Sequence, residues 1–214
     1  MIVRRAGSVA VLLLFAASAT FAMSSGPSSP PPPPPSEPGI PGMNGSGQVG
    51  QPTPRQEAEQ SYALAYEDVG KAKQDLEDGK AKNAEKKFKR ALERCEKAVL
   101  FDERYFEAWN LLGFTARKLG DYDKAFKAYD RCLSIKPDYA PAREYLGEAW
   151  LEKGDPKQAR VQLIWLERLN ATVELQTLKT SYDAWIAAHP ESAPAPAAQP
   201  AATDSTSAAG TTGR

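Results

Sequence analysis

Thirty-four residues separate two similar stretches of this chain. Trp109-Asn110-Leu111-Leu112-Gly113 lies over Arg143-Glu144-Tyr145-Leu146-Gly147, and the agreement continues with Gly120-Asp121 over Gly154-Asp155 and Ala125 over Ala159. A period of this length implies one supersecondary unit that cannot bury its apolar faces alone, so that copies must stack. Apolar residues inside the unit recur at three- and four-residue spacing without alternation, which predicts helix throughout. Trp109 and Leu112 share one face of a first helix. Gly113 and Ala125 are small where two antiparallel helices have to approach closely. Gly120-Asp121 ends the first helix and caps the second, and Pro137 stops the second from continuing. Each unit is therefore expected to be a helical hairpin.

With those positions in place, Phe106 to Tyr139 resembles the tetratricopeptide repeat. Trp109, Leu112, Gly113, Ala125, Tyr129 and Pro137 stand where that repeat has its characteristic residues, and Ala116 and Cys132 depart from it. Ala140 to Ala171 supplies the next unit through Leu146, Gly147, Trp150, Ala159, Leu163 and Leu166, although Asn170-Ala171 stands where Pro is expected. The first unit is blurred. Ala84, Phe88 and Ala91 fit a second helix that begins after Gly79, whereas Ala91, Cys95 and Ala98 fit the register carried back from Trp109. Both hold if that helix is about two turns longer than usual, from about Asn83 to Phe101, and its partner is long as well, from about Gln56 to Asp78. Leu175, Leu178, Tyr182, Trp185 and Ile186 then form a last amphipathic helix that shields the final hairpin. The expected fold is all-α: a solenoid of about three hairpins (57–105, 106–139, 140–171) with a capping helix at 172–188, in a domain spanning 55–189.

The ends of the chain have a different composition. Arg4 and Arg5 precede an apolar run from Val9 to Phe15 and a small-residue stretch to Ala22, the order of a secretory signal, and cleavage is expected after Ala22. An uncleaved anchor over Ala6 to Ala22 is the alternative. Residues 23–54 are a Pro/Gly/Ser-rich linker containing the run Pro30 to Pro35, read as an unstructured lead-in, with a semi-rigid tether or groove ligand as the alternative. Residues 190–214 are an Ala/Pro/Thr/Ser tail with too little apolar surface to collapse, so both flanks are expected to be disordered. The signal places the chain in the periplasm or outside the cell. It looks like exported bacterial members of the repeat family, some of which carry a cysteine pair before the last helix, but Asn170 to Val173 holds none.

Charge and motif content narrow the function. The formal charge balances at 27 basic and 27 acidic residues, and removing Arg4 and Arg5 turns it slightly acidic, which leaves no broad footprint for nucleic acid. The cluster Lys80, Lys82, Lys86, Lys87, Lys89, Arg90, Arg94 and Lys97 is interleaved with Glu85, Glu93 and Glu96 and reads as a solvated helix face. The single His189 stands beside Pro190 without a nucleophile, zinc or phosphate-loop motif, so no enzyme, metal or cofactor is expected. Cys95 and Cys132 are candidates for a disulfide in an oxidising compartment, against the alternative of two small core residues. The resemblance implies a binding trough lined by first helices, with Glu107, Asn110, Phe114, Arg117 and Lys118 from one unit and Glu144, Tyr145, Glu148 and Glu152 from the next. Family members that bind a C-terminal carboxylate use Lys, Asn and Arg at positions that here hold Leu111, Pro141 and Tyr145, so that activity is not implied. Phe114 and Tyr145 are instead expected to act as aromatic anchors for a protein or peptide segment. The leading reading is an exported scaffold, and the alternative is a structural spacer or self-associating module in the envelope, with no membrane contact beyond the signal.

Overall fold

The computed structural model describes residues 51–192. The signal segment, nearly all of the linker and the tail beyond 192 lie outside the described residues. Those described form seven α-helices and no strand: α1 Pro54–Glu77, α2 Ala81–Phe101, α3 Phe106–Lys118, α4 Tyr122–Ile135, α5 Ala140–Glu152, α6 Pro156–Arg168 and α7 Thr172–Ala188, followed by one 3-10 turn, Pro190–Ser192. α1 pairs with α2, α3 with α4 and α5 with α6. α2 then packs on α3 and α4 on α5, while α7 lies against both α5 and α6. None of these helices is long and apolar enough to cross a membrane.

Two kinds of turn alternate along the array. Inside each hairpin the first helix ends on a left-handed glycine, such as Gly120 at φ 79°, a conformation that costs a residue with a Cβ. The next backbone N–H then reaches five residues back, from Lys80 to the Asp75 carbonyl at 2.7 Å, Asp121 to Ala116 at 2.9 Å and Asp155 to Trp150 at 2.8 Å. Asp121 and Asp155 cap the helices that follow by accepting from the backbone N–H groups of Lys124 and Gln158. Between hairpins the chain leaves the second helix extended at Asp102 and Lys136, and Pro137 lies in that loop. The α6–α7 connection follows the first kind. Asn170 has φ 53°, and the N–H of Ala171 bonds to the Leu166 carbonyl at 3.1 Å. Asn tolerates the left-handed region through its short polar side chain, which explains why no proline is needed there.

The first hairpin is long in both arms, 24 and 21 residues, against 13 and 14 in the second. Its seam uses Ala58, Tyr62, Ala65, Val69 and Ala72 facing Ala84, Phe88, Ala91, Cys95 and Ala98, all at most 3 % exposed. Spacings of four and three keep one apolar stripe on each helix in contact over the whole length. Farther along, Gly113 gives way to its own second helix, since a Cβ there would stand 2.6 Å from the Tyr129 ring. Gly147 gives way instead to Leu178 of α7, not to Leu163, the residue in register with Tyr129. Leu112, Ala125, Tyr129, Leu146 and Ala159 are buried, Trp109 is half-buried and Pro137 is exposed. Cys95 and Cys132 are buried free thiols, and burial pushes both above the ordinary thiol range. Both positions belong to the core: Cys95 faces Thr115 of α3, whereas Cys132 lies near Glu107 and Arg143.

Candidate protein-binding groove

The first helices α1, α3 and α5 stand side by side, and their shared surface gathers the residues expected at the trough. Its floor is aromatic. The rings of Phe114 and Tyr145 lie 5.4 Å apart, both at most 3 % exposed, and the Arg117 guanidinium stands 5.7 Å from each. The ammonium groups of Lys73 and Lys118 also lie within 5.7 Å of the Phe114 centroid, so three cations from two helices surround one ring.

Facing them, α5 carries Glu144, Glu148 and Glu152 at four-residue spacing, which puts all three on one face. Arg117 donates to Glu148 at 2.6 Å and to Glu152 at 3.4 Å. Its side chain is fully buried, and this bond ties the second hairpin to the third. Burial alone would depress Arg117, but Glu148, Tyr129 and Glu152 outweigh that and hold the guanidinium above its ordinary value. Lys118 is pushed down to about 8 by burial and by neighbouring Arg117. Burial also lowers Lys73. Glu144 is raised to about 8 by burial and then by the carboxylates of Glu148 and Glu174. The trough is therefore polar in a directed way, with cations on the α1 and α3 side and acids on the α5 and α7 side.

At the opposite end of these helices the packing is aromatic and less charged. Tyr62 and Tyr105 lie 5.1 Å apart, Phe106 meets Tyr139 edge-on at 4.9 Å, and the Arg55 guanidinium sits 3.9 Å above the Tyr105 ring while donating to Asp102. Glu107 is half-buried there, and burial raises its carboxyl.

Helix lengths, left-handed turns and the glycine contacts of 106–139 now stand beside a family model for the tetratricopeptide repeat, which matches the same residues. Residues 106–139 are thus similar to a tetratricopeptide repeat. Among solved structures, that of MamA is similar over 56% of this chain and 87% of its own length, at 19% identity and a TM-score of 0.37. Comparison with curated proteins gave no match.

The repeat register assigned a face to each groove residue but not its depth. Asn110, Phe114, Arg117, Glu144 and Tyr145 are buried, Glu107, Lys118 and Glu148 are half-buried, and Glu152 is exposed. Phe114 and Tyr145, expected as aromatic anchors, are buried and form a floor, with Lys73, Arg117 and Lys118 around them. Lys73 was missed. It belongs to the same cluster, and its place in the long first helix offered no repeat consensus from which to align it. Among the described residues no cluster of His, Cys, Asp or Glu has the makings of a metal site.

Proposed function

We propose that this protein is an exported scaffold without catalytic activity that holds a partner polypeptide along the trough of α1, α3 and α5. The family likeness supports a role in protein–protein interaction. The observation that carries the finer reading is the ordered charge over a rigid floor, with Lys73 and Lys118 on one wall and Glu148 and Glu152 on the other. Such an arrangement selects a segment whose own charges run acidic then basic, and it fixes the direction in which that segment lies. The order of Arg4, Arg5, the apolar run and the small residues to Ala22 supports export, with a partner in the envelope or outside the cell.

Phe114 and Tyr145 are interior, so replacing them perturbs folding before contact. The experiment is affinity capture from the native envelope fraction with the wild type and with the paired exchange Lys118→Glu and Glu152→Lys, checked for unchanged helicity by circular dichroism. Loss of the captured partner from the exchanged protein supports the trough. An identical capture profile overturns it. Mass analysis of the exported chain checks the leader, with an N-terminus just after Ala22 as the expected result and a retained Met1 pointing to an anchor.

A further inference from the structure

The 34-residue register also compares the outer faces of the three second helices. Glu93, Glu96 and Lys97 of α2 correspond to Lys127, Asp130 and Arg131 of α4, and all six are exposed, as a solvated face requires. In α6 the same three positions are Val161, Ile164 and Trp165, exposed at 42, 42 and 38%. Spacing of three and four residues joins them into one stripe. Lys157 and Arg160 precede it and Arg168 follows it, all three exposed. Trp165 is held in place by the Arg143 guanidinium 4.2 Å over its ring.

One further outer position breaks the pattern. Leu100 of α2, in register with Ser134 and Arg168, is 79% exposed. It borders an open depression of about 450 Å³ lined by Glu96, Val99, Leu100, Glu103, Trp109 and Arg131. The Trp109 indole is fixed there by a bond to the Glu103 carbonyl at 2.9 Å. Glu96 pairs with Lys124 at 2.7 Å and Glu103 with Arg131 at only 3.9 Å. Exposed pairs of this kind hold their partners weakly and exchange them readily.

We propose that these two departures are halves of one interface, so that the α6 stripe of one copy docks into the Leu100 depression of a second copy. The charges choose this occupant. On α6 the cations flank the apolar residues, with Arg160 and Arg168 eight residues or about 12 Å apart along the helix. In the depression the carboxylates of Glu96 and Glu103 flank Leu100. Pairing α6 with α6 would set Arg160 and Arg168 against their own copies. The interface is thus heterologous, each molecule offering one surface and accepting with another, and it extends as an open array unless the geometry closes. Three exposed side chains and one shallow depression fall short of the roughly 800 Å² a side that a stable interface buries, so association is weak and depends on concentration.

The test is light scattering and sedimentation of the full-length chain over a concentration series, with two variants. Val161→Asp with Ile164→Asp spoils the stripe and Leu100→Asp spoils the depression. All three positions are exposed, so folding is preserved and is checked by circular dichroism. The wild type is expected to gain mass with concentration, and each variant to weaken association by about tenfold or more. Mixed in equal amounts, the two variants restore one intact stripe and one intact depression, giving a 1:1 dimer that grows no further. A monomeric wild type overturns the proposal. So does a Leu100→Asp protein that still self-associates, which would mean α6 pairs with itself, or a mixture of variants that stays monomeric. Binding to vesicles of mixed anionic and neutral phospholipid through the stripe, with the protein still a monomer, would assign the stripe to a lipid surface instead.

Discussion

The first and third hairpins bury carboxylates in opposite ways. In the first, Asp68 is 1 % exposed, yet Arg90 and Arg94 of α2 both donate to it, and Asp75 likewise takes Lys87. In the third, Glu144 is buried toward Glu148 and Glu174, and its proton is retained to about pH 8. A hairpin with only one stacked neighbour closes its long seam with cross-helix ion pairs and small residues. The third instead sets a buried carboxyl beside other acids, which shifts its titration away from the ordinary carboxylate range. The first hairpin pairs its buried acids with cations, and the third sets acid beside acid.

The largest test of that contrast is at the C-terminal end. Leu178 is the one buried residue of α7, and Leu178→Ala is expected to cost about 3 kcal/mol in urea unfolding. Hydrogen exchange should show α7 and α5 opening while α1 and α2 keep their protection, because neighbours in such an array couple only locally. Equal loss of protection in α1 would show one cooperative unit and erase the distinction.

Asp68→Asn comes next, at about 2 kcal/mol, since hydrogen bonds to a charged group carry more than neutral ones and two arginines lose their acceptor charge. The effect should shrink in high salt, as Arg90 is half exposed and already partly screened.

Glu144→Gln sharpens the other side of the comparison. An acid whose folded pKa is raised binds more protons native than unfolded, so stability falls as pH climbs from the carboxylate range to about 8. Lys118, pushed down to about 8, works in reverse: its penalty is complete below that pH and lifts as pH rises toward the ordinary lysine value. Together they place a stability minimum near pH 8. Glu144→Gln should be the more stable protein there by about 1 to 2 kcal/mol and indistinguishable from wild type near pH 4. A pH profile identical in both proteins would remove Glu144 from the account.

The smallest effect is expected at the α6–α7 turn. Asn170→Ala should cost about 1 kcal/mol through its left-handed backbone, and Asn170→Gly should cost nothing or stabilise, both read from thermal unfolding.

Much of the fold was legible in the residues. Gly120-Asp121 and Gly154-Asp155 punctuate the chain by obligate backbone chemistry, and the two competing registers of the first unit both proved useful because α2 contains them in sequence. What could not be read was depth. Phe114 stands at a groove position, but its burial comes from Lys73, in the first helix of the blurred first unit, and from Tyr145 on the next unit. The partner of Gly147 was hidden for the same reason: a small residue announces a close approach without naming the helix that makes it. Asn170 was noted only for the missing proline, because its sign of φ is a backbone choice that sequence leaves open to Asn.

The turn at Asn170 also sets the grammar of lengthening this protein. Because α7 folds back as the second arm of a hairpin would, residues 172–188 act as a full stop, and an additional unit grafted behind them would find no matching docking surface. A unit inserted ahead of Ala140, at the proline-containing junction, would meet second-helix and first-helix surfaces of the right kind on both sides. Evolution or a designer adding length to this array would therefore write it into the middle of the chain.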